Sequence, residues 1–87
     1  MSAENKAFWK QYDLLIASLE SNGFTDIQQE VAAAKLLVNG YPNGWQQLLD
    51  ELKRIELTHR DRFIQEQRII FFYLISQLKN SLEPGRY

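Results

Sequence analysis

Apolar residues recur along this chain at intervals of three and four, the repeat of one face of an α-helix. Phe8, Tyr12, Leu15, Ile16 and Leu19 fall on one such face, and Lys6, Lys10, Asp13 and Glu20 lie mostly off it. The spacing predicts a helix from about Ala3 to Ser21. Asn22-Gly23 ends it, because glycine accepts the left-handed geometry of a helix C-cap. Ile27, Val31, Ala34 and Val38 predict a second helix that begins at Thr25 and stops at Asn39-Gly40. Thr25 with Gln28 three residues on reads as a capping box, and Asp26 suits the positive end of the helix dipole. Ala32, Ala33 and Ala34 permit close approach of a neighbouring helix.

The clearest loop is Gly40-Tyr41-Pro42-Asn43-Gly44, in which Pro42 keeps Tyr41 extended. Asn43 reads as the N-cap of a third helix, with Gln46 at N3 and Trp45, Leu48, Leu49, Leu52 and Ile55 as its apolar stripe. Residues 56–62 admit two readings, a short break capped by Thr58 or helix running through. A fourth and longest helix is predicted from about His59 to Leu82. Phe63, Ile70, Phe71, Leu74, Ile75, Leu78 and Leu82 share its broad face, and Ile69, Phe72 and Tyr73 widen the apolar girth almost all round. Such a helix is central or sits in an interface. A buried strand is the rival reading of Ile69 to Ile75, but no turn residues flank that run and no partner strand is visible. The expected fold is all-α, an antiparallel bundle of three to four helices with the fourth central. One domain spans residues 1–82, and residues 83–87 form a flexible C-terminal tail.

Composition narrows the function. A chain of 87 residues is one domain with a thin core. It has no cysteine, so neither a disulfide nor a cysteine-ligated zinc can staple it, and it must pack well or oligomerise. The lack of cysteine fits a reducing compartment. Met1 to Lys10 has no apolar core of a secretory signal, so the expected location is the cytoplasm. The longest apolar run is the seven residues Ile69 to Ile75, against the roughly 20 a membrane-spanning helix needs. Ten basic and eleven acidic side chains leave a net charge of −1, which gives no electrostatic reason to expect nucleic acid or an anionic membrane as partner.

Candidate chemistry is sparse. His59 is the single histidine, and with Asp61 it could form half of an acid–base pair, but no activated nucleophile accompanies it. Helical carboxylate metal sites pair Glu-x-x-His motifs on facing helices, and no such pair occurs. No glycine-rich phosphate loop is present. The expectation is a non-enzyme without cofactor, metal or catalytic residue. Lys53, Arg54, Arg60, Arg62 and Arg68 make residues 53–68 locally basic, with Glu56, Asp61 and Glu66 interleaved. That segment reads either as a patch for phosphate or an acidic partner, or as a solvated face laced with ion pairs. Trp9 lies off the first helix's main stripe and Tyr41 in a loop, and aromatic residues anchor interfaces. Trp45, on the third helix's stripe, could flank Tyr41 or turn inward. The candidate partner-binding residues are therefore Tyr41, Trp9, Trp45, Arg60 and Arg62.

The stretch Ala32-Ala33-Ala34-Lys35-Leu36-Leu37, then Asn39-Gly40-Tyr41-Pro42, then Trp45-Gln46-Gln47-Leu48-Leu49 resembles small all-helical immunity proteins of bacterial toxin systems. The resemblance is a pattern of helix, glycine-containing turn and helix, and it transfers no functional residue. It implies a cytoplasmic, non-enzymatic inhibitor that binds and neutralises a cognate toxin. Two alternatives stand beside it. One is a homodimeric structural or regulatory helical protein with Ile69–Ile75 as the subunit seam. The other is a nucleic-acid-binding protein using residues 53–68, though no recognition-helix pattern accompanies them.

Overall fold

The computed structural model describes residues 3–40 and 42–82. Four long helices, α1 (Ala3–Ser21), α2 (Thr25–Lys35), α4 (Gly44–His59) and α5 (Gln65–Leu82), are joined by short connections. A one-turn helix, α3 (Leu37–Gly40), follows α2, and a 3₁₀ turn (Arg60–Arg62) follows α4. No strand occurs among the described residues, and the run Ile69 to Ile75 lies wholly within α5.

The long helices form a ring in which α1 and α4 each pack against both α2 and α5. Side-chain contacts fix their directions. Trp9, early in α1, meets Trp45 at the start of α4. Ser18, late in α1, meets Gln67 at the start of α5. Arg62, just past the end of α4, reaches Asp26 at the start of α2. Successive helices therefore alternate in direction, the up-down-up-down arrangement that short connections favour. Each turns one stripe inward. Tyr12, Leu15 and Leu19 of α1, Ile27 and Val31 of α2, Leu48, Leu52 and Ile55 of α4, and Phe71 and Leu74 of α5 are fully buried. Each such apolar side chain contributes about 1.5–3 kcal/mol on leaving water. Tyr12 carries a hydroxyl into that core, where it donates to the Val31 carbonyl at 2.6 Å. Burial, with Glu51 and Asp13 adding to it, holds this phenol neutral to well above its ordinary pKa.

Several local expectations are corrected. The helix α5 is one of four equal members of the ring, not its centre, so its outer side stays bare. It begins at Gln65, and His59 belongs to α4. The break keeps Phe63 in extended geometry with its ring buried on Phe71, centroids 4.7 Å apart. The fully buried Gln67 reaches back to cap α5, its Oε1 accepting from the Ile64 N–H at 3.2 Å. Thr58 lies inside α4 and caps nothing.

The capping box at Thr25 does not form. Phe24 takes the N-cap position, without a side-chain cap, because the preceding turn places it there. Gly23, at φ +82°, lets Phe24 N–H donate to Leu19 and its own N–H donate to Glu20, the paired bonds of a Schellman motif. The second helix also ends earlier than predicted, at Lys35, with α3 as a separate turn. Asn43 is the N-cap of α4 as read, but its side chain makes no capping bond. Gly44 matters more, since a Cβ there would overlap the carbonyls of Leu37 and Val38. The tail assigned to residues 83–87 lies outside the described residues. No helix among the described residues is long and apolar enough to cross a membrane.

Candidate functional site

On α5 the residues Gln65, Ile69, Phe72 and Ser76 follow one another at helical spacing along the side turned away from the core. Phe72 is 75% exposed and Ile69 59%. Across the groove on α1, Leu14 is 48% exposed. That groove is lined by Gln11, Leu14, Gln65, Glu66, Ile69 and Ile70. Glu66, which lines the groove, ends a relay: Gln67 Nε2 donates to Ser18 Oγ at 3.2 Å, and Ser18 Oγ donates to Glu66 at 3.3 Å. A singly exposed aliphatic residue is ordinary, whereas large apolar side chains gathered on one face mark a surface for a partner.

Four of the five predicted site residues lie elsewhere. Trp9 and Trp45 meet with ring centroids 5.6 Å apart and are half-buried, joined by Phe8 and Tyr12 in one aromatic cluster. Lys35 Nζ sits 5.3 Å from the Trp9 ring centroid, a cation–π contact from α2. Trp9 falls off the main stripe of α1 because it reaches sideways to close this end of the bundle. Tyr41 lies outside the described residues. Arg60 and Arg62 stand at the opposite end, so the aromatic and basic candidates do not converge.

The basic segment is largely compensated. Arg60 pairs with Glu56 at 2.9 Å and Arg62 with Asp26 at 2.9 Å. Arg54 bridges Glu30 at 2.8 Å and Glu51 at 2.6 Å. Among the described residues, Lys53 and Arg68 form no ion pair. The Arg62 guanidinium holds the Asp26 carboxyl below its usual range, and Arg54, then His59, do the same for Glu30. These pairs are solvent-exposed and each is worth little. His59 Nε2 lies 3.3 Å from Glu30 Oε2. Glu56-Leu57-Thr58-His59 supplies one Glu-x-x-His spacing, but Glu56 is spent on Arg60 and His59 turns to Glu30. No group of three or more side chains placed to hold a metal ion occurs among the described residues.

The sequence reading offers Ile69–Ile75 as a subunit seam in its dimer alternative, but it names no residue of α1 beside that run. Ile69 and Phe72 did carry a signal, as residues that widen the apolar girth of their helix. Leu14 carried one only as an apolar residue off the stripe of α1. No family model, curated protein or solved structure matches the chain.

Proposed function

We propose that this protein is a non-enzymatic protein-binding module that docks its partner on the α1–α5 face. The observation that carries the reading is Phe72, three-quarters exposed on a helix whose other face is core, with Ile69 one turn before it on the same strip and Leu14 of α1 across the groove that Ile69 lines. Burying an aromatic side chain of this kind against a partner is worth about 1.5–3 kcal/mol, the scale of an interface hot spot. Neutralisation of a cognate bacterial toxin in the cytoplasm is the particular form of binding that the resemblance over residues 32–49 supports. The compensated charge of residues 53–68 disfavours nucleic acid as the partner.

The same face supports a homodimer as a second reading. Gln65, Ile69, Phe72 and Ser76 carry no charge, so two copies of α5 could abut about a twofold axis along this strip, with the exposed Arg68 and Lys79 at its rim. A solution mass measurement and affinity capture on the wild type and on Ile69→Ser/Phe72→Ser test both readings. A partner, or a second copy, retained by the wild type and lost by a double variant of unchanged melting temperature is the expected result. Equal retention by both removes the α1–α5 face from the account. For the toxin-neutralising form, the wild type should restore growth to cells producing the toxin while the double variant does not.

A further inference from the structure

We draw no further inference here: the strongest candidate, the open groove between α2 and α4 in which Glu30, Asp50 and Glu51 rim a floor of Ala33, Ala34 and Leu37, carries nothing, because its carboxylates are already held by Arg54 and Gln46 and nothing in the structure shows what covers it.

Discussion

Gln67 shows how one polar residue can hold a junction together. It is fully buried, and its amide joins the N-terminus of α5 to Ser18 of α1. Gln67→Leu keeps a similar volume but strips the Ile64 N–H and the Ser18 hydroxyl of this partner. A destabilisation of about 1–3 kcal/mol is expected, read from the denaturation midpoint. The exposed pairs act on a different axis, pH. Asp26 and Glu30 have folded-state pKa values below their unfolded ones. The stability they supply is full above the unfolded values near 4 and is lost as pH falls from there toward the lowered folded values. Acid titration of stability should show this loss in low salt, and Arg54→Ala/Arg62→Ala should flatten it. Little of this was legible in the sequence. Gln67 is one glutamine among several, and its role depends on a chain break that the sequence offered only as one of two readings of residues 56–62. Arg62 and Asp26 are far apart in the chain, and only the ring brings them together.

At the scale of the helix, the inward stripes were readable and the ends were not. The residues spaced for α1, α2 and α4 are largely those found buried, because burial of one face imposes the three-and-four repeat. Leu74, on the inward side of α5, is fully buried. Leu74→Ala should cost about 2–5 kcal/mol, the range for truncating a core leucine. An unchanged chemical denaturation midpoint would place it outside the core. The ends failed for a common reason. Caps depend on the turn that precedes them, so the Schellman turn at Gly23 moved the N-cap to Phe24 and disabled Thr25. The entry to α5 moved to Gln65 because Phe63 serves the core better from an extended backbone.

At the scale of the whole molecule, periodicity reports the width of an apolar face but not which neighbour covers it. The breadth of α5 admitted a central place or an interface, and the ring excludes the first. What remains is the outer strip, with Ile69 and Phe72 exposed along it and Leu14 of α1 across the groove from Ile69. Among the residues singled out from sequence, Trp9 and Trp45 close one end of the bundle, Arg60 and Arg62 pair at the other, and Tyr41 lies outside the described residues; the α1–α5 face is the docking surface we propose. The most direct test is a photo-crosslinking amino acid placed at position 72 in producing cells, with position 57 as control. Leu57 of α4 is comparably exposed, at 67%, and outside this face. The account predicts a discrete adduct of one partner, or of a second copy of the chain, from position 72 and none from position 57. Equal labelling from both positions, or labelling from position 57 alone, would contradict it.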